Sequence, residues 1–201
     1  MKEKAIKLTK PIIKSDFSVE EALQKRKSLR SFPDQPITMI EVSQLLWAAQ
    51  GITHSGTYRT APSAGALFPL EVFILTGKVS DLPSGVYEYL PHDHSLIKQL
   101  EGDRRKDLWS AALRQDSVLE AAATMVITAI YERTTVKYGN RGRQYVHMEA
   151  GCVAQNVHLQ AEALGLGTVY IGAFYDQEVK RVLNLEKEQE PLCLLPIGRQ
   201  R

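Results

Sequence analysis

Disulfide chemistry is the first thing this sequence leaves out. Its two cysteines, Cys152 and Cys193, lie far apart and outside any CxxC spacing, which excludes a disulfide framework and a zinc-knuckle pattern and fits reduced thiols. A dominant sign of charge is missing too. The 25 Lys and Arg residues face 23 Asp and Glu, and a formal net charge of +2 is too small to call for a polyanion, so no nucleic-acid partner is expected. No apolar run approaches the roughly 20 residues that span a bilayer. The basic stretch from Met1 to Lys14 is interrupted by Lys4, Lys7, Lys10 and Pro11, so neither a signal peptide nor a membrane segment is expected, and a cytoplasmic location is. Repeats and low-complexity linkers are absent as well. What is present is an ordinary globular composition: 201 residues, 44% hydrophobic and 24% charged, enough chain to bury a core without metal or disulfide staples.

Helix starts are legible. Ser18-Val19-Glu20-Glu21 reads as a capping box that opens a helix towards Lys27. Thr38-Met39-Ile40-Glu41 repeats the device ahead of an apolar stripe of Leu45, Leu46 and Ala49, with Gly51 expected in the left-handed terminal position. A Gly- and Ser-containing stretch from Thr53 to Phe68 then leads into a strand over Glu71 to Thr76. Gly85 to Tyr89 and Ser95 to Ile97 flank Pro91-His92-Asp93-His94 as an edge hairpin, its histidines at a solvated tip and not at a metal site. Asp103 to Arg114 reads as a helix and Thr124 to Tyr131 as a buried central strand. The longest helical pattern runs from Gln144 to Leu164 and stops at Gly165; its small centre, Ala150, Gly151, Cys152 and Ala154, admits another helix closely. Val169-Tyr170-Ile171 and Leu192 to Ile197 read as strands around a short helix near Gln177 to Leu183. Without strict βαβ alternation the pattern favours an α+β fold, with residues 1–17 as an N-terminal arm and 18–201 as a single domain.

Familiar nucleotide and hydrolase motifs are missing. Gly165-Leu166-Gly167 follows a helix and precedes a strand, the reverse of a dinucleotide-binding turn, and no phosphate loop, HExxH helix or GxSxG elbow occurs. Gly139-Asn140-Arg141-Gly142, with Lys137 and Arg143 nearby, matches the GXXG of RNA-binding KH domains, a pattern short enough to recur by chance.

Three separated segments carry more information. Arg26-Lys27-Ser28-Leu29-Arg30 places two guanidinium groups and a hydroxyl at a helix end, donors suited to a phosphate; alone, it is also an ordinary basic helix end. Ala61-Pro62-Ser63-Ala64-Gly65-Ala66-Leu67-Phe68-Pro69 combines small residues with rigid prolines, as close approach to a flat ligand requires, and as many loops do. Gly198-Arg199 adds a turn and one more cation after the last strand.

Their order and spacing resemble the nitroreductase superfamily from about Ser18 to Arg199, and most closely its SagB-type dehydrogenases. The resemblance implies a central mixed β-sheet flanked by helices, bound FMN, and a homodimer with FMN at the subunit interface, to which the small-residue helix contributes a two-fold contact. Arg26, Ser28 and Arg30 match the opening signature that holds the FMN phosphate and ribityl chain in relatives, and Arg199 takes the place of a late phosphate-binding residue. Pro62, Ser63, Ala64 and Gly65 match the proline-serine loop beside the flavin ring, while the amides of Ile171, Gly172 and Ala173 would donate towards its N5 region. Many general nitroreductases carry asparagine where this chain has Ala66, a departure that removes a polar partner. Lys137-Tyr138-Gly139-Asn140-Arg141-Gly142 looks like the lysine-tyrosine stretch of SagB-type azoline oxidases, which implies catalytic roles for Lys137 and Tyr138. Chemically, an amine kept unprotonated by burial or neighbouring cations can take a proton from carbon as hydride leaves.

The expected activity is therefore an FMN-dependent oxidoreductase, with NADH or NADPH as a possible electron donor and a small-molecule or peptide substrate. Two alternatives stand beside it: a SagB-type oxidase of peptide thiazolines or oxazolines, and a flavin-binding protein without turnover.

Overall fold

Apolar runs that lack polar alternation need a sheet covered on both faces, and the chain's longest ones become its central strands. In the computed structural model, which describes residues 5–54 and 58–200, the order is β1 (Ile6–Lys7), α1 (Val19–Lys25), β2 (Ile37–Thr38), α2 (Met39–Gln50), β3 (Ile52–Thr53), β4 (Tyr58–Arg59), a 3-10 turn (Ala64–Ala66) and β5 (Leu70–Thr76). There follow β6 (Val79–Ser80), β7 (Gly85–Leu90), β8 (Ser95–Glu101), α3 (Arg105–Ala111), α4 (Asp116–Glu120), β9 (Ala123–Ala129), α5 (Glu132–Tyr138), α6 (Arg141–Ala163), β10 (Leu166–Thr168), α7 (Asp176–Leu183) and β11 (Glu190–Arg199). Met1–Lys4 of the expected arm, Ser55–Thr57 of the Thr53–Phe68 stretch, and Arg201 lie outside the described residues.

Seven strands form the main sheet in the order β1-β8-β7-β5-β9-β11-β10. The fold is α+β with helices on both faces, as expected, but the sheet is not mixed. Its strands pair antiparallel throughout, and among the described residues parallel pairing is confined to the separate β2–β6 pair and a single bridge from Ser28 to Thr168. Strand alternation splits the buried residues between two cores. Met125, Ile127, Ile74, Cys193 and Leu195 face α2 and α6, whereas Phe73, Leu75, Val126 and Leu194 face α3, α4 and α7.

Several local expectations are corrected. Ser18 caps α1 by accepting from the Glu21 amide at 3.0 Å, but the Glu21 carboxylate turns to Lys25 at 2.6 Å instead of closing a box. Thr38 and Glu41 do form the complete box. Gly51 ends α2 in an extended conformation (φ −62°, ψ 152°), and its missing side chain has another reason: a Cβ there would lie 2.6 Å from the Trp47 carbonyl oxygen. The helix expected over 103–114 is present but shorter, α3, and a separate short helix, α4, follows it. The strand expected at 169–171 belongs instead to 166–168. The segment expected as an arm is docked: β1 extends the sheet beside β8, and Gln44 clasps the Ile12 backbone at 2.8 and 3.0 Å. His94 leaves the solvated hairpin tip to contact Tyr89 Oη at 2.8 Å, Ser43 Oγ at 3.0 Å and the Thr9 carbonyl at 2.8 Å.

Candidate active site

The first cluster lies at the β10 edge of the sheet. Arg26 leaves α1 with ψ at 123°, which converts the chain from helical to extended, and the next residues run along β10. Ser28 bridges Thr168, and the Leu29 amide donates to the Thr168 carbonyl at 3.0 Å. In an extended segment alternate residues share a face, so Arg26, Ser28 and Arg30 project together, opposite Leu29. Two glycines seat this segment. A Cβ on Gly167 would stand 2.1 Å from Leu29 Cδ1, and one on Gly198, its partner across β10 and β11, 2.7 Å from Phe32 Cγ. The GxG that fails as a dinucleotide turn is thus a packing seat. Ser28 and Arg30 are exposed, and the Thr168 hydroxyl beside them is buried without a hydrogen-bond partner. Beneath lies His158 of α6, its pKa lowered chiefly by burial and then by the Arg26 charge, with Glu162 opposing.

Arg199 is the residue the structure reassigns. Gly198 and Arg199 continue β11 and form no turn. The guanidinium forks onto Glu41, Nη1 to Oε1 at 2.5 Å and Nη2 to Oε2 at 2.9 Å, with Nε donating to the Pro36 carbonyl at 3.2 Å. Burial pushes the Glu41 carboxyl up, but hydrogen bonds from Arg199 and Thr38 outweigh it and hold the group below its ordinary range. Arg199 therefore ties the α2 capping box to β11 and is not a free phosphate cation.

The second cluster is the loop between β4 and β5. Gly65 (φ 63°), Ala66 (φ 55°) and Phe68 (φ 46°) all occupy the left-handed region, which costs about 1 kcal/mol or more for each non-glycine residue. Side chains hold them there. Ser63 Oγ accepts from the Phe68 amide at 2.9 Å, and Arg59 stacks 4.9 Å over the Phe68 ring while donating to the Gln50 carbonyl at 3.0 Å. Asn156 of α6 donates to the carbonyls of Ala48 (3.2 Å) and Thr60 (3.1 Å). The tip meets α5: a Cβ on Gly65 would stand 2.8 Å from Tyr138 Oη and 3.1 Å from Lys137 Nζ. Two stretches more than 70 residues apart in sequence thus converge on one point.

Lys137 and Tyr138 occupy the last turn of α5, where a loop was expected. Gly139 (φ 55°) turns the chain, and Gly142 is buried where α5 meets α6, its would-be Cβ 3.0 Å from Thr135 Cα, so the KH-like GXXG is a helix corner. Lys137 is exposed; Nζ sits 5.4 Å over the Tyr138 ring, which packs edge-on against Tyr145 at 5.2 Å. Glu149, one face of α6 further on, is a residue the sequence reading missed. It is buried, and desolvation pushes its carboxyl up to about 7 against the pull of Ser63, Gln50 and Arg59. Its signal was a glutamate at the core-facing spacing of Val146, Ala150 and Val153.

Of the 171–173 turn, Ile171 is locked, its amide and carbonyl both bonded to Leu194 at 2.9 Å, so its N–H is not available. Gly172 and Ala173 are exposed, and their amides have no acceptor among the described residues. The edge and loop clusters do not merge. Glu149 and His158 mark them on α6, nine residues and so roughly 13 Å apart along the axis. An open cavity of about 940 Å³ between α3 and α7, lined by Arg104, Asp107, Tyr175 and Arg181, includes none of the expected site residues. Among the described residues no three His, Cys, Asp or Glu side chains converge as metal ligands, and no helix is long and apolar enough to cross a membrane.

Paired cations and a hydroxyl on one edge, open backbone amides, and a glycine facing a lysine and a tyrosine make up the candidate site. The fold is that of known structures: a candidate nitroreductase of Anabaena variabilis ATCC 29413 superposes with a TM-score of 0.88 at 28% identity, over 99% of this chain and 42% of that one. The chain belongs to the nitroreductase family of oxidoreductases, whose profile matches residues 23–199. That family is generally flavin-dependent with nicotinamide donors. It is 44% identical over 92% of both chains to MJ1384 of Methanocaldococcus jannaschii, a candidate nitroreductase by name. It is also 30% identical to McbC of Escherichia coli, the microcin B17-processing protein, over 64% of this chain and 49% of McbC. A chain of the E. coli microcin synthetase McbBCD complex, solved with truncated pro-MccB17 bound, matches with a TM-score of 0.77 at 26% identity, over 96% of this chain and 77% of that one. The chain spans about half the length of McbC and less than half of the Anabaena protein.

Proposed function

We propose that this protein is an FMN-dependent oxidoreductase. The observation that carries the reading is the β10 edge, where regular backbone pairing presents Arg26, Ser28 and Arg30 on one face beside the unpartnered Thr168 hydroxyl. Those residues would hold the phosphate and ribityl chain. Pro62, Ser63, Ala64 and Gly65 would line the ring, with the open amides of Gly172 and Ala173 as donors. Bound FMN supplies two-electron chemistry with electrons from NADH or NADPH. The site residues, the 18–201 domain and a homodimer are parts of the same proposal. Val136, 88% exposed on α5, and Met148 and Gly151, exposed on α6, offer the dimer an apolar, small-residue face.

A second reading is favoured by the convergence of Gly65 with Lys137 and Tyr138: oxidation of peptide thiazolines or oxazolines. Similarity to McbC supports it. Here Lys137 Nζ would take the proton from the substrate carbon, Tyr138 Oη would orient the amine, and bound flavin would be the acceptor of the two electrons that leave as hydride. Mass spectrometry of the denatured supernatant, together with thermal shifts on adding FMN or FAD, tests the main reading. FMN released and FMN-specific stabilisation are expected, since a ligand that binds only the folded state must raise its stability. A colourless protein indifferent to FMN sinks it. Flavin that NADH and NADPH fail to bleach would indicate binding without turnover.

A further inference from the structure

The open amides of Gly172 and Ala173 sit in a turn that is fastened at both ends. On one side the amide and carbonyl of Ile171 are bonded to Leu194 of β11, each at 2.9 Å. On the other, the Tyr175 amide donates to the Ala111 carbonyl at 2.9 Å, and the Ala173 carbonyl accepts from Gln115 Nε2 at 3.0 Å. The same nitrogen donates to the Ala112 carbonyl at 3.0 Å, so both of its hydrogens are used and one side chain joins the end of α3 to the turn. The backbone takes up strain to deliver it there. Leu113 (φ 56°) and Arg114 (φ 58°), which lead from α3 to Gln115, are consecutive left-handed residues, a conformation that residues other than glycine rarely adopt. Bonds hold the reversal: the Arg114 amide donates to the Trp109 carbonyl at 2.9 Å and the Gln115 amide to the Ala112 carbonyl at 3.2 Å.

We propose that Gln115 is a positioning residue that holds the Gly172 and Ala173 amides as a preset pair of donors for an acceptor on the flat ring of bound flavin. Strained backbone persists where the surrounding structure fixes it, and what this reversal gains is a bond to a residue 58 positions away, in the candidate site. Gly172 supports the same conclusion. Its φ lies outside the left-handed region, and a Cβ there would meet nothing nearer than Tyr170 Cε1 at 3.6 Å, so neither the backbone nor packing within the chain calls for glycine. Bare backbone at that point leaves room for a planar ligand to come up against the amides. Donors fixed before the ligand arrives need no reorganisation when it binds, which is what makes such amides effective against an electron-rich acceptor. The identity of the ligand rests on the flavin reading above, whereas the fastening of the turn does not.

Backbone NMR order parameters of Gly172 and Ala173 in the flavin-free, full-length protein test the fastening. The parent should give about 0.85, the value of rigid backbone, and Gln115→Glu should fall below about 0.6, because it keeps the shape but sets acceptors against two carbonyls. Gln115→Ala provides a second arm should Gln115→Glu fold poorly, with the same drop expected. Parental rigidity in a folded variant, or a parent turn that is already mobile, overturns the proposal. FMN then tests what the amides are for. The Kd of Gln115→Ala for FMN should rise by about fivefold, the worth of one neutral hydrogen bond, and at saturating FMN the visible absorption band of the bound ring should shift from the parent's. Arg26→Ala, which removes a phosphate contact, should weaken binding and leave that band in place. Parental affinity together with a parental band in Gln115→Ala would overturn the role toward the ring. A protein that binds no FMN, yet loosens at Gly172 and Ala173 when Gln115 is replaced, refutes the flavin reading and leaves the fastening of the turn standing.

Discussion

The Arg26–Arg30 segment and the Pro62–Gly65 loop both lie against α6, yet they are built by opposite means. The first is held by backbone: a strand bridge, an amide bonded to Thr168, and two glycines that seat Leu29 and Phe32. The second is held by side chains drawn from the loop itself, β4, α5 and α6, and it stores left-handed residues that those contacts must keep in place. Backbone pairing is indifferent to pH and tolerant of side-chain change. A loop kept by side-chain contacts lacks that tolerance, so the two regions should respond differently to the same substitutions.

The largest separation is expected at Lys137 and Tyr138. Lys137→Ala and Tyr138→Phe should keep FMN, whose phosphate the proposal assigns to the edge cluster, while substrate oxidation slows by about 10²–10⁴ in rapid-mixing half-reactions and flavin reoxidation changes less. Loss of FMN in these variants would break the division between a binding edge and a reacting loop.

Next comes stability against pH. Glu149 has a folded pKa of about 7 against an ordinary 4.5, so between those values the native state keeps a proton that the unfolded chain has released. Stability from this group is therefore fully present below pH 4.5, falls as pH rises to 7 and is level above, a loss on the order of 3 kcal/mol at most. Glu149→Gln should flatten that slope in thermal melts. A slope as steep as the parent's would assign it to other groups.

A smaller effect is expected from Arg26→Ala. Removing one charge-assisted phosphate contact weakens FMN binding by about 1.5–3 kcal/mol, tenfold or more in Kd by titration, with the melting temperature of the flavin-free protein little changed. Unchanged affinity would return this segment to a solvated helix end.

Arg199→Ala sharpens the comparison with the smallest change. Because Arg199 is paired with Glu41, its loss should lower stability by about 1 kcal/mol or less, matched by Glu41→Gln, and leave FMN affinity unaltered. A loss of FMN affinity like that of Arg26→Ala would restore it to the phosphate site.

Much of the fold could be read from local signals. The capping residues Ser18 and Thr38 placed two helix starts, because the cap bonds form within three residues of each other. The largely apolar run at 124–131 announced a strand buried on both faces, and β9 lies inside the sheet between β5 and β11. Boundaries failed where tertiary contacts intervene. The helix carrying Lys137 was hidden by its polar Glu132–Tyr138 sequence, and the strand near 169 moved to Leu166–Thr168, where Gly167 had to meet Gly198. At the site, the sequence marked Arg26, Ser28, Gly65 and Lys137 but carried no hint of which residues meet, and it passed over Glu149 altogether.

The division follows from range. Local bonds and side-chain periodicity settle where helices begin, which residues enter the core, and how Arg26, Ser28 and Arg30 alternate once the chain is extended. Whether Arg199 is free or paired, whether Gly65 faces a tyrosine, and whether a glutamate on α6 keeps its proton depend on partners tens to more than a hundred residues away. Only the folded chain brings those groups together, because burial and the field of neighbouring charges exist nowhere in the sequence until α2, α5, α6 and the sheet have packed.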